Sequence, residues 1–386
     1  MDKIIVKKAS NNILNELEAV KFDASYLKIA VDKYSGCAYK LFKLKPYEAN
    51  ILKQLCLSLG FDCAISRDSV TCKCDYTDAV IFASVSQIKN LIKKLRVQPF
   101  RLKELAFSLD EVIKNALAPL SLRNFVFDWK RPYIMGIVNA TPDSFSDGGS
   151  YNPVEQAIKL INAGADIIDI GGESTRPNAD VVSIEEEINR VIPVIQTIRE
   201  KNSEIIISID TRNYQTAKAA IEAGADIIND VSGLDYDNAL FEYVIANNLP
   251  VIIMHSDKVP AVSVDFSNSD VVEDVYFSLK QKIDKLVSLG LDRKNIIADI
   301  GIGFGKSKDS NFELLKRFDE FTTLGVPILL GISRKSFIRN QFNITCDEAD
   351  IPTALYSAML SNVNIHRVHN VELTKKYLDY ASLLHD

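Results

Sequence analysis

The sequence predicts a (β/α)8 barrel preceded by a small α/β unit, and three observations carry that expectation. From Tyr133 onward, short β-branched runs alternate with amphipathic helical stretches, eight times over. The segment AGADIIDI at Ala163 returns as AGADIIND at Ala223, 60 residues later. Two strand–helix units separate the copies, so one unit takes about 30 residues and 133–386 accommodates eight. Finally, 386 residues is too long for one average domain and comfortable for two.

The expected strands are 133–139, 165–171, 205–211, 225–231, 250–255, 295–301, 327–333 and 365–371. Near-continuous apolar runs of this kind suit a parallel sheet buried on both faces. Eight of them close without an edge, which favours the barrel over a doubly wound open sheet. Helices are expected between them, for instance Asn213–Ala223 and Leu373–Leu384. Gly164 and Gly224 in the repeats stand where a helix C-cap needs a left-handed residue.

The first 129 residues break this rhythm, so the expected division is 1–129 and 130–386, with the boundary near Phe125–Arg131. The leader reads as a strand at Tyr39–Lys45, a helix at Pro46–Leu59 and short strands at Asp62–Arg67, Val70–Cys74 and Ala79–Ala83. A helix follows whose Ile88, Leu91, Ile92 and Leu95 form an i, i+3, i+4, i+7 stripe. The leader carries no constellation of reactive groups.

Composition narrows the class. Hydrophobic residues at 47% and charged residues at 25% are ordinary globular values, which excludes disordered and collagen-like chains. No apolar run approaches the ~20 residues of a spanning helix, and the N-terminus lacks the pattern of a signal peptide, so a cytoplasmic location is expected. The net charge of −6 is uneven: residues 1–129 hold 20 Lys+Arg against 14 Asp+Glu, and the remainder 25 against 37. No arginine-rich run or interleaved aromatic stripe accompanies the basic leader, so neither a nucleic-acid nor a membrane partner is expected. Five of six cysteines lie before residue 75 without C-x-x-C spacing, and no histidine precedes His255, so free thiols are expected rather than a zinc site.

In a (β/α)8 barrel, catalysis sits at the carboxyl ends of the strands. Those ends here carry Asn139, Glu173 to Arg176, Asp210, Asn229 with Asp230, His255, Asp299, Arg334 to Ser336, and Arg367 with His369. Singly, each has a structural explanation as a cap or a turn. Together they sort into two chemistries. Asp210, Asn229 and Asp299 suit a flat heterocycle with N–H donors and carbonyl acceptors. Lys335, Arg367 and His369 suit phosphate, Arg367 and His369 facing one way from one strand, with a helix N-terminus expected near Val371. The segments 141–149 and 174–178 read as mobile loops over the mouth. GIGFGK (301–306) fails as a P-loop because the required earlier glycine is Ile300.

The motifs GIVNATPDSFSDGG (136–149), GGESTRP (171–177), SIDT (208–211), IND (228–230), DIGIGFGK (299–306), GISRKS (331–336) and RVH (367–369) resemble, in order, those of the dihydropteroate synthases, pterin-binding TIM-barrel enzymes of folate biosynthesis inhibited by sulfonamides. The resemblance covers roughly 130–386. It implies condensation of 6-hydroxymethyl-7,8-dihydropterin pyrophosphate with p-aminobenzoate, with Mg2+ as cofactor and a homodimer as assembly. It places Asp210, Asn229, Met254, Asp299, Phe304 and Lys335 around the pterin, and Asn139, Arg367 and His369 on pyrophosphate, with Lys335, Arg367, His369, Asp299 and Asp210 carrying catalysis. Mg2+ falls to Asn139 and Asp147, while Phe145, Thr175, Arg176, Pro177 and Ser336 serve p-aminobenzoate and loop closure.

Three positions depart from the family pattern: Ile300 for proline, Asn370 for aspartate and Asn178 for glycine. None removes a side chain assigned a direct role. Two rival readings keep the pterin pocket. One is a methyltransferase of the same barrel group acting on methyl-tetrahydrofolate and a corrinoid, which has no use for SRKS, RVH or the first loop. The other is a non-catalytic pterin-binding paralogue.

Overall fold

The computed structural model describes residues 13–114, 116–140, 152–173, 182–256 and 270–384. The chain forms two compact units, Met1–Asn115 and Ala116–Asp386.

In the first unit, β1 (Gly36–Leu44), β2 (Cys63–Ile65) and β3 (Thr77–Ser84) make an antiparallel sheet in the order β1-β3-β2. One face of it, through Leu41, Ala79, Ile81 and Ala83, packs on helices Pro46–Ser58, Val85–Leu95 and Leu102–Lys114. The expected stripe Ile88, Leu91, Ile92 and Leu95 is buried there. The strand expected at Val70–Cys74 is absent. Ser66 instead accepts the Asp68 N–H and caps a helical turn, Arg67–Val70, and Cys72 leaves it with φ 53°. All cysteines of the described residues are free, with Cys56 and Cys63 buried.

The second unit begins with a hairpin, β4 (Leu120–Leu122) and β5 (Phe125–Phe127). Eight parallel strands follow: β6 (Tyr133–Asn139), β7 (Ile167–Gly171), β8 (Ile206–Asp210), β9 (Ile227–Asp230), β10 (Val251–Met254), β11 (Ile296–Asp299), β12 (Ile328–Leu330) and β13 (Ile365–Val368). They close into a barrel in chain order, β13 pairing with β6. The expected (β/α)8 barrel is therefore present, with all eight strands where the apolar runs placed them. Gly164 and Gly224 hold φ of 99° and 112°, the left-handed conformation the repeat required.

Side chains alternate along each strand, so one parity faces the barrel interior. The lowest inward layer is Met135, Ile167, Ile206, Ile227, Ile252, Ile297, Leu329 and Ile365, one from each strand. Leu120 and Phe127 of the hairpin pack against this layer with Tyr133, sealing the amino-terminal end of the barrel. That packing explains why the unit boundary falls at 115/116 rather than at the expected 129/130. The opposite parity, such as Ile168, Ile170, Ile207 and Ile209, joins the helices in a separate outer core.

Candidate active site

One step of two residues above the apolar floor, the inward positions are Ile137, Asp169, Ser208, Asn229, Met254, Asp299, Gly331 and Arg367. A further step brings Asn139, Gly171, Asp210, Ser333 and His369. Strand periodicity alone thus gathers the polar groups at the carboxyl end.

Their bonds cross the barrel. Arg367 donates from Nε to Asp169 Oδ2 at 2.6 Å and from Nη2 to Asp210 Oδ2 at 2.6 Å. Asn229 donates from Nδ2 to both oxygens of Asp169, at 3.2 and 3.4 Å. Asp169 is fully buried, and Asn229 and Asp299 nearly so. Charges this dry persist only when paired. Burial tends to lower Arg367, but the Asp169 and Asp210 carboxylates outweigh it and hold the guanidinium charged. Burial raises Asp210 against the pull of Arg367, with Asp169 nearby adding to the rise. Asp299 is likewise raised by burial, opposed by the Lys335 charge and by the Gly301 N–H that donates to its Oδ1 at 2.7 Å.

Lys335 lies across the next loop. Its ammonium donates to the Ile302 carbonyl and sits 4.3 Å from the centre of the Phe304 ring. Burial pushes it down to about 7, with Asp299 pulling the other way. The loop beneath it turns on Gly301, Gly303 and Gly305, all at positive φ. At Gly303 a Cβ would lie 2.8 Å from Lys335 Cδ, so the absence of a side chain is what lets Lys335 pass. Buried Lys306 ties the same loop down, donating to the carbonyls of Gly301, Phe304 and His255 at 2.8, 3.2 and 3.4 Å.

Lys335 is aimed by its neighbour. Arg334 adopts φ 58° and grips Asp350 with two parallel bonds, Nε to Oδ1 at 2.8 Å and Nη2 to Oδ2 at 2.9 Å. Asn370 adds Nδ2 to Asp350 Oδ2 at 3.1 Å, while its Oδ1 caps the helix Val371–Ser382 by accepting the Leu373 N–H at 3.0 Å. The departure to asparagine at 370 therefore supplies a donor that an aspartate lacks. Ser333 Oγ accepts the His369 N–H at 3.2 Å and lies 3.0 Å from its Nδ1, fixing the ring.

Of the expected residues, Asp210, Asn229, Met254, Asp299, Phe304, Lys335, Arg367 and His369 converge at this end, with Asn139 and Ser336 exposed at its rim. Phe145, Asp147, Thr175, Arg176 and Pro177 lie outside the described residues. The heterocycle and phosphate groups are not separate sets, because Arg367 is bound to Asp210. Asp230 points away from them and forms a turn, accepting the Ser232 and Leu234 N–H groups at 2.7 and 2.8 Å. Buried His255 is held neutral, its pKa lowered to about 3 by burial with Lys306 nearby. Asp169 was missed because only strand ends were read; a carboxylate inside the apolar run of DIIDIG is itself the signal. Among the described residues no cluster of three His, Cys, Asp or Glu could hold a metal, and no helix is long and apolar enough to cross a membrane.

Comparison with known proteins places this geometry in context. Residues 135–369 match the family model described as pterin binding enzyme. The dihydropteroate synthase of Clostridium beijerinckii is 42% identical over 249 residues, spanning 63% of this chain and 90% of that one. A probable bifunctional folylpolyglutamate synthase/dihydropteroate synthase of Halobacterium salinarum is 40% identical over 340 residues and matches 85% of this chain, a share reaching beyond the barrel unit into the N-terminal one. The chain spans 40% of the length of that relative. Among solved structures, a Xanthomonas albilineans dihydropteroate synthase with 4-aminobenzoic acid superposes with a TM-score of 0.62 at 37% identity, covering 67% of this chain and 95% of that one.

Proposed function

The chain belongs to the pterin-binding enzymes and, within them, to the dihydropteroate synthases, and on that premise we propose that it condenses 6-hydroxymethyl-7,8-dihydropterin pyrophosphate with p-aminobenzoate to 7,8-dihydropteroate and pyrophosphate. The observation that carries this reading is the polar inward layer, in which Asp169 binds both Asn229 and Arg367, with Asp299 at the same level, directly above a sealed apolar floor. Such a cleft suits a flat, hydrogen-bonding heterocycle lying on Met254 and bounded by Phe304.

In the reaction the methylene–oxygen bond breaks and its electron pair leaves with pyrophosphate. The arylamine nitrogen then bonds to the methylene and gives up a proton. Asp299, Asp210 and Asn229 hold the pterin, and the carboxylates favour the cation that develops on it. Lys335 joins them on the pterin, while Arg367 and His369 stabilise the charge growing on the leaving group, the kind of preorganised electrostatic effect that dominates many active sites. The N-terminus of the helix Val371–Ser382 faces the same anion. Ser336 at the rim meets the p-aminobenzoate carboxylate. On the same resemblance Phe145, Thr175, Arg176 and Pro177 would serve p-aminobenzoate and loop closure, and a sulfonamide would compete there.

Mg2+ suits this arrangement, since it binds through few protein oxygens and the substrate's phosphates. Asn139 and Asp147 would hold it, and when bound it neutralises charge on the diphosphate.

The assembly proposed is a homodimer in the cytoplasm, without nucleic-acid or membrane partners. Ile351, Leu355 and Met359, exposed at i, i+4, i+8 on the helix Asp350–Met359, offer an apolar face of the kind a second copy covers.

The test is direct: purified protein with both substrates and Mg2+ should release pyrophosphate and dihydropteroate. Normal pterin binding without turnover would overturn the synthase in favour of a non-catalytic paralogue.

A further inference from the structure

We infer that Asp169 is a positioning residue: it commits the Asn229 amide nitrogen and leaves the carbonyl oxygen as the group Asn229 offers a ligand, so that the site selects an amino-substituted heterocycle over its oxo counterpart. The inference rests on the pterin site proposed above and adds the origin of its selectivity.

A carboxylate only accepts hydrogen bonds, so the Asn229 atom lying 3.2 and 3.4 Å from the two Asp169 oxygens must be the nitrogen. Asp169 cannot turn away to allow the opposite rotamer. It is fully buried on β7, and its Oδ2 also receives Arg367 Nε at 2.6 Å. Flipping the amide would set Asn229 Oδ1 against that buried carboxylate, a contact that costs far more than in solution. Register reinforces the arrangement. Asp169 pairs beside Ser208 and Asn229 beside Asp210, so the carboxylate on β7 and the amide on β9 are separated by the single strand β8 and both face the barrel interior.

The consequence is a polarity at one ligand edge. A 2-amino group presents N–H to the Asn229 carbonyl, whereas a 2-oxo group presents a second oxygen and finds no donor in its place. A site built this way rejects the mismatched analogue strongly, because the mismatch leaves buried polar groups unpaired. Without Asp169 the amide can reorient to suit either edge.

The experiment compares equilibrium binding of 6-hydroxymethylpterin and of its 2-oxo analogue to wild type and to Asp169→Asn. Wild type should prefer the amino form, and the variant should lose at least tenfold of that preference while still binding. An equal loss for both ligands, the mark of a merely structural role, would overturn the inference, as would an unchanged preference. Wild-type protein that binds neither pteridine would overturn the function and this inference together. A second measurement covers a variant that does not fold. In wild type the Asn229 side-chain amide proton pair, assigned by its loss in Asn229→Ala, should exchange slowly with water in the ligand-free protein. Fast exchange there refutes the lock.

Discussion

Replacing Asp350 by alanine should disable the site from outside it. Asp350 lies at the start of the helix Asp350–Met359, with its side chain only 8% exposed, and takes a two-pronged bond from Arg334 at 2.8 and 2.9 Å. Hydrogen bonds to charged groups contribute about 1.5–3 kcal/mol when desolvated. Arg334 is 31% exposed and water can replace part of the grip, so the stability loss should fall near the lower end of that range. The larger effect is on geometry. Arg334 sits at φ 58°, a conformation that costs a non-glycine residue about 1–2 kcal/mol and persists while the clamp holds it. Once released, the turn relaxes and Lys335 moves with it. A displacement of ~1 Å in such a group can cost about a hundredfold in rate. The assay is steady-state pyrophosphate release beside urea denaturation, with Asp347→Ala as the comparison. Asp347 touches the same arginine at 3.3 Å but is 90% exposed, so its removal should change stability by no more than ~0.5 kcal/mol and leave the rate alone. Equal effects in the two variants, or full activity in Asp350→Ala, would refute the clamp.

Other outcomes follow from the same geometry. Lys335→Ala and Arg367→Ala should each cripple turnover without unfolding the barrel, read by activity and thermal melting; wild-type rates in both would reject the assigned site. Lys335 is pushed down to about 7, so its ammonium is present below that pH and lost above it. Affinity for the pterin diphosphate should therefore weaken as pH rises through about 7, by up to about tenfold per unit, and Lys335→Arg should flatten that fall in calorimetric titrations. Gly303→Ala combines φ 80° with a Cβ 2.8 Å from Lys335 Cδ, so catalysis should drop more than tenfold for roughly 1 kcal/mol of stability, compared by kinetics and denaturation. A chain of 116–386 should fold and turn over. One of 130–386 lacks the hairpin beneath the barrel, and Phe127→Ala alone should cost about 3–5 kcal/mol. Equal melting temperatures for the two truncations would show that the hairpin is dispensable.

The barrel was legible because its signals are local and repeated. Each strand is an apolar run such as IIISID or NIIAD, and each can be recognised without knowing its neighbours. The same holds for the strand-end residues, whose polarity stands out after such a run. The hairpin Leu120–Phe127 was not legible as part of the barrel. LSLRNFVF drew no strand assignment and runs into the expected boundary near Phe125–Arg131, and only the apolar floor above decides where it packs. The Val70–Cys74 stretch failed for the opposite reason: a Ser66 cap overrode a weak strand pattern.

What the sequence by itself determined is the number of strands, their parity and hence the list of groups that face inward, because an alternation of two residues is a property of the chain alone. Partnership was decided only by closure. Asp169 and Arg367 are 198 residues apart, and nothing in either segment announces the other. Joining β13 to β6 brings them within 2.6 Å and binds Arg367 to Asp210 as well, merging two groups that residue type had kept separate. In a closed sheet every inward side chain meets the strands opposite it. That meeting, among buried side chains, is where the chemistry of this site is set.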